Sequence, residues 1–221
     1  MTIDSPAVHT TDIGQLKSLC MRVEISTLVR EARATSVYIT HDQAEAFALA
    51  DQVGVLENGR LVQLGTPEQI YTEPTTPFVA RFTGLAGEVP ARIKDREADG
   101  TVLVEPYGGT AFLARSRFAT ADPSATTSSA TASSTATTAT EEVTVLIRPT
   151  GVHLSPASGN GHHLTGRVTD VAFRGRGYEH AIDIDGRTRL TGVLADIRVP
   201  RGEPVGVRLD PAACHAFPAS S

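Results

Sequence analysis

The residue best placed to do chemistry is His41. It follows the β-branched and aromatic run Thr35 to Thr40 (TSVYIT) and precedes Asp42-Gln43-Ala44-Glu45. A neutral imidazole can donate one hydrogen bond while accepting another, which suits contact with an anionic oxygen. Taken alone, a histidine at the end of a strand more often packs or caps than reacts. The other candidates carry less. His162-His163 sits in the turn-rich SPASGNGHH, and a metal site there needs further ligands, so a solvated loop is expected and no metal. Arg167, Arg174 and Arg176 offer a small anion-binding patch, set against a solvated barrel face with ordinary ion pairs. Asp183 and Asp185 flank Ile184 with spacing that suits a turn rather than an acid–base pair. Only Cys20 and Cys214 are present, without a CxxC, which argues against a disulfide framework or a cysteine zinc site and fits a reducing cytoplasm.

The elements around His41 follow from pattern. Arg22 to Glu31 spaces Val23, Ile25, Leu28 and Val29 as a helix does, and TSVYIT then reads as a short strand. Gln43 to Asp51 reads as a helix, with Asp42 placed to cap its unsatisfied first-turn N–H groups. A strand from Gln52 to Glu57 meets Asn58-Gly59, a strong hairpin signal, and returns as Arg60 to Leu64. Thr66 caps the next helix, with Pro67 at its first position and Gln69 at the capping-box position. Phe78 to Phe82 gives one more short helix, ended by Gly84.

From Gly87 the character changes to short β-rich runs: Val89 to Ile93, Thr101 to Val104, Thr110 to Ala114, Val143 to Ile147, Thr165 to Val171, His180 to Ile184 and Val205 to Leu209. Turns such as Asp99-Gly100, Gly108-Gly109 and Asp185-Gly186 separate them, so a small barrel or sandwich is expected. Ala119 to Thr140 lacks the bulky apolar side chains that offset the entropy of ordering, and reads as a flexible linker or insertion. The net charge of −5 argues against a nucleic-acid partner. No apolar run approaches the roughly 20 residues that span a bilayer, and MTIDSPAVHTTDIG lacks the pattern of a secretory signal.

Two resemblances give these elements a context. Val37 to Gly84 (VYITHDQAEAFALADQVGVLENGRLVQLGTPEQIYTEPTTPFVARFTG) resembles the end of the nucleotide-binding domain of ABC importers. The histidine loop of that family is written here as Thr40-His41-Asp42-Gln43-Ala44-Glu45-Ala46, followed in order by the Asn58-Gly59-Arg60 hairpin and the Gly65-Thr66-Pro67-Glu68 turn. The second resemblance is to the transport-associated OB-type (TOBE) domain that follows the ATPase in sugar, spermidine/putrescine and ferric-iron importers. It rests on Leu146-Ile147-Arg148-Pro149, Val152-His153-Leu154, Gly166-Arg167-Val168, Phe173-Arg174-Gly175 with Tyr178, Gly202-Glu203-Pro204-Val205, Leu209-Asp210-Pro211-Ala212 and Phe217-Pro218. Thr150 stands where that family usually has an acidic residue after the proline, and Phe-Arg-Gly leans towards the polyamine or iron branch.

These resemblances imply an α/β portion, the C-terminal part of a P-loop NTPase-type domain, followed by an all-β, OB-fold-like small barrel. The expected boundaries are an unmatched segment 1–20, the nucleotide-binding remnant 21–84, the OB-type domain 85–118 plus 141–218, and the linker 119–140. His41 becomes the switch histidine that reads a γ-phosphate, acting only if a partner completes the site. The chain has two lysines, Lys17 and Lys94, and neither lies in a GxxxxGK[ST] loop. An LSGGQ-like signature and an apolar strand ending in Asp-Glu are also absent from the sequence. Phosphoryl transfer depends on positioning and electrostatics supplied by those motifs, so the chain alone is expected to be inactive. ATP and Mg²⁺ are the family's cofactors, and neither is expected on this chain by itself. The implied function is a component of an import system for ferric iron, polyamine or another small solute. Its implied partners are permease subunits and a second ATP-binding subunit, at the cytoplasmic membrane face and without a span of its own. The alternatives are a non-catalytic solute- or oxyanion-sensing module and a decayed gene product.

Overall fold

The computed structural model describes residues 35–118, 141–159, 161 and 163–219. The expected helix Arg22 to Glu31, the segment 1–20, Lys17, Cys20, the linker 119–140 and His162 lie outside the described residues.

The described chain opens with helix α1 (Gln43–Leu49), capped by Asp42, whose side chain accepts from the amides of Ala44 and Glu45. Strands β1 (Val53–Glu57) and β2 (Arg60–Gly65) form an antiparallel hairpin. Asn58 and Gly59 both have positive φ, 49° and 78°, as the tight two-residue turn requires. Helix α2 (Pro67–Thr72) begins with the full capping box of Thr66 and Gln69. Helix α3 (Pro77–Phe82) begins with Thr76 capping Val79 and stops before Gly84 at φ 93°. One face of the hairpin meets these helices through Val55, Ile70 and Val79, with Phe47, Val53, Val62 and Phe78 packed around them.

The run Thr35 to Thr40 does not form the expected strand. β-Branched residues favour an extended backbone, but a strand also needs a neighbour for its hydrogen bonds, and among the described residues none lies beside it. For the same reason the P-loop type of α/β architecture is not evident: 35–84 holds one two-stranded hairpin and three short helices.

The rest is all-β and barrel-like, of the OB type. Strands β3 (Gly87–Arg96), β4 (Thr101–Pro106), β5 (Phe112–Ser116), β6 (Glu142–Ile147) and β12 (Cys214–Pro218) close a barrel in the order β12-β5-β4-β3-β6. Strands β7 (Val152–Pro156), β8 (Leu164–Phe173), β9 (Tyr178–Asp183), β10 (Arg189–Ala195) and β11 (Pro204–Leu209) make a second sheet in the order β10-β9-β8-β11-β7. Both contribute to one core, from Val89, Val104 and Val145 of the barrel to Val168, Ile182 and Val207 of the sheet. The amide of Thr191 in β10 donates to Ala86 just before β3 at 2.8 Å and fastens the two. The expected strand Thr110 to Ala114 is displaced to Phe112–Ser116, because the turn at Gly109 continues until Thr110 donates to His163 O.

Short helical turns at Pro149–Gly151 and Pro211–Ala213 lead into β7 and β12 and press together. A Cβ at Gly151 would stand 2.1 Å from the Ala213 Cβ. Gly151→Ala is therefore expected to destabilise the β-domain by about 1–3 kcal/mol through overpacking, measured as a lower urea midpoint with an unchanged m-value.

Candidate functional site

His41 lies at the junction of extended chain and α1, and its side chain is exposed. The backbone around it is closely tied. The Asp42 amide donates to Thr40 Oγ1 at 2.9 Å, and Thr40 Oγ1 donates to Glu45 Oε2 at 2.9 Å. Tyr38 Oη donates to the same carboxylate oxygen at 3.1 Å, while Asp42 Oδ1 accepts from Ala44 and Glu45 at 2.8 and 3.2 Å. A site for phosphate needs more than an imidazole, and the described residues place no second phosphate-binding element beside it.

The weaker sequence candidates resolve into structural roles. Arg174 pairs with Glu179 at 3.0 Å inside the β8–β9 hairpin, and Arg167 donates to Gly202 O. Arg167 and Arg174 stand seven positions apart along extended chain, roughly 20 Å, and each makes its own exposed contact, in keeping with the solvated face and ordinary ion pairs set against the anion patch. Asp183 accepts from the Gly186 amide and Asp185 from the amides of Arg187 and Thr188, the turn their spacing implied. His163 accepts at Nδ1 from the Leu209 amide and packs its ring 5.5 Å from Phe112. Cys214 is buried, which pushes its thiol up to about 12 and leaves it a packing group. Among the described residues no three of His, Cys, Asp and Glu gather as a metal site.

The most demanding chemistry lies where sequence reasoning saw only a family landmark. Arg148, at the end of β6, is 1% exposed. Its Nη1 donates to Ala80 O at 2.9 Å and Gly84 O at 2.6 Å, and its Nη2 to Tyr71 O at 2.8 Å. The Tyr71 and Ala80 carbonyls belong to the last turns of α2 and α3, which a helix leaves without internal partners and with partial negative charge, and Gly84 lies just past the C-cap of α3. The guanidinium also lies over the Tyr71 ring, 4.3 Å from its centroid. Burial, with Tyr71 opposing, brings its pKa down to about 10, so it stays charged at neutral pH. Arg117 extends the clasp, donating from Nη2 to Thr72 O at 3.0 Å and from Nε to His215 Nδ1 at 3.3 Å. That acceptor role leaves the His215 proton on Nε2. Burial first, then Arg117, Arg148 and Arg115, holds the His215 pKa down to about 3. One signal was legible: a cation ending a buried apolar strand needs acceptors.

Residues 145–217 match the TOBE domain family. The chain is 34% identical over 196 residues to the spermidine/putrescine import ATP-binding protein PotA of Acetivibrio thermocellus, covering 88% of this chain and 47% of that protein. It is 32% identical over 177 residues to the Fe(3+) ions import ATP-binding protein FbpC 1 of Pectobacterium atrosepticum, covering 79% of this chain and 42% of that one. The chain thus spans about half the length of the curated relatives it matches. Among solved structures, the molybdate-bound form of the cytoplasmic molybdate-binding protein ModG is similar over 58% of this chain and 93% of that chain, at 14% identity and a TM-score of 0.39.

Two predictions follow from the clasp. Arg148→Met leaves three carbonyls without their donor and is expected to cost about 3 kcal/mol or more; Arg148→Lys, a point cation without the planar fork, recovers only part of it in the same urea titration. For His215 the folded pKa is depressed to about 3 against an ordinary 6.5. Between those values the unfolded chain binds a proton that the folded chain refuses, so stability is full above pH 6.5 and lost as pH falls towards 3. His215→Leu is expected to flatten the fall in stability between pH 7 and 4; an unchanged slope would refute the assignment.

Proposed function

We propose that this chain, which resembles the C-terminal part of ABC-importer ATP-binding subunits and carries a TOBE domain, works as a component of such an import system. In this reading it sits at the cytoplasmic face of the membrane beside permease subunits, and no helix of the described residues is long and apolar enough to cross a bilayer. ATP and Mg²⁺ are bound mainly by the portion of an ATP-binding subunit that carries the phosphate loop, signature and magnesium carboxylate, while this chain supplies His41. The relatives' names include polyamine and ferric ions, and the transported solute here is drawn from such small cations or a related solute.

The observation that carries this reading is the hairpin's second face. While Val55 packs against the helices, Leu56, Leu61 and Leu64 on the opposite side are 62%, 56% and 59% exposed. Beside them in sequence, Val37 and Ile39 of the extended run are 89% and 86% exposed. A strand apolar on both faces is the signature of an internal strand covered by layers on each side, and a lone two-stranded hairpin is marginal in water. Residues 35–84 thus have the surface of an inner piece of a larger α/β domain, which fits their resemblance to the end of a nucleotide-binding domain.

The chain alone is expected to hydrolyse no ATP above background. Mixed with a polypeptide carrying the phosphate loop, signature and magnesium carboxylate of a polyamine-importer relative, it is expected to associate and give hydrolysis that His41→Ala abolishes. Leu56→Lys with Leu64→Lys is expected to block association while the β-domain stays folded. His41-dependent turnover by the isolated chain, or failure of the two pieces to associate, would overturn the reading.

A further inference from the structure

We propose that Glu45 is the positioning residue of the His41 turn: its carboxylate fixes the backbone on either side of His41 so that the imidazole faces outward towards a phosphate oxygen brought by a partner. The orientation towards phosphate rests on the reading above; the positioning itself rests on the geometry here. His41 has no regular structure on its N-terminal side, because the run Thr35 to Thr40 makes no ladder among the described residues. An exposed residue at the end of such a run would ordinarily sample many backbone states, each lost at an entropic cost when a ligand is met.

Glu45 removes that freedom from one helical turn away. Its Oε2 accepts from Tyr38 Oη, three residues before His41, and from Thr40 Oγ1, the residue directly before it. Thr40 Oγ1 in turn accepts from the Asp42 amide, directly after His41, and closes a ring around the histidine's backbone. Asp42 then ties the turn to α1 through its two amide contacts. Both hydroxyl hydrogen bonds end on a carboxylate, the stronger class of such bonds, and Glu45 itself is anchored in the first turn of α1. None of these bonds uses the imidazole, so the ring is held by its backbone and its nitrogens are left to meet an anion. Asp42 caps the helix and its amide reaches back to Thr40, while the Glu45 carboxylate reaches both Thr40 and Tyr38 on the other side of the histidine.

The test uses the full 221-residue chain, labelled for NMR. In Glu45→Ala and Thr40→Val the exchange protection of the Asp42 amide is expected to fall about tenfold, in line with losing hydrogen bonds to a charged group, and the His41 Hε1–Cε1 signal moves to its random-coil position. Glu45→Gln, which keeps a side-chain oxygen acceptor, is expected to retain part of both, and signals of the β-domain do not move. An Asp42 amide and a His41 ring signal unchanged in Glu45→Ala would overturn the proposal. In the mixture with the complementary ATPase piece, Glu45→Ala is expected to lower kcat about tenfold with KM unchanged, and an unchanged kcat would likewise overturn it. Absence of hydrolysis by the wild-type mixture would instead sink the functional reading, and the NMR signature would still decide the role of Glu45.

Discussion

The structure turns on a charge taken out of water. Arg148 brings a full positive charge to a place with 1% exposure, and no carboxylate is found among its hydrogen-bond partners. Burying an unpaired cation is costly, and the molecule offsets that cost with carbonyl dipoles. Two short helices end against the same guanidinium, so carbonyls at their ends take up its Nη1 and Nη2 donors, while its buried Nε has no partner among the described residues. Neither helix is long enough to be stable alone. The positions of α2 and α3 therefore follow from β6, and the hairpin that packs on Ile70 and Val79 follows from them. Ala80, Leu146 and Phe217 fill the space beside the clasp with apolar contact.

This arrangement sets what the two parts of the chain do for each other. The β-domain has its own core shared by a closed barrel and a second sheet, so its strands are specified internally. The segment 35–84 has a much smaller cluster and a second, uncovered apolar face. Its order beyond local capping comes from the junction: Arg148 and Arg117 at the helix ends, with the buried His215 of β12 accepting from Arg117. A histidine held down to about 3 by burial and neighbouring cations contributes packing and an acceptor without adding a further charge to the cluster.

Local signals were legible to the residue. Asp42, Thr66 with Gln69, the Asn58-Gly59 turn and the stop at Gly84 all appear where their chemistry places them, because capping and turn formation involve neighbours a few positions away. Strands with alternating burial, such as Thr101–Pro106, were legible for a similar reason. Val152–Pro156, Arg189–Ala195 and Cys214–Pro218 were not foreseen. β10 is broken by a register shift between Leu190 and Val193, and β12 is buried at four successive residues, so neither shows the period of two that marks a half-exposed strand. TSVYIT misled in the other direction, since its residues favour extension but cannot supply a neighbouring strand.

By itself the sequence determined the family likeness, the presence of His41 directly before a capped helix, and the change from mixed to all-β character near Gly87. These depend on residue types and short spacings, which a linear chain displays. Tertiary structure alone decided which arginine matters. In sequence Arg148 stands out from Arg167 and Arg174 only by ending an apolar run, which calls for acceptors without naming them. Folding spends Arg174 on an exposed ion pair in the β8–β9 hairpin and Arg167 on the exposed turn before β11, and places Arg148 against carbonyls 64 to 77 positions away. The acceptors of a buried cation are set by where helices end in space, and no local spacing encodes that.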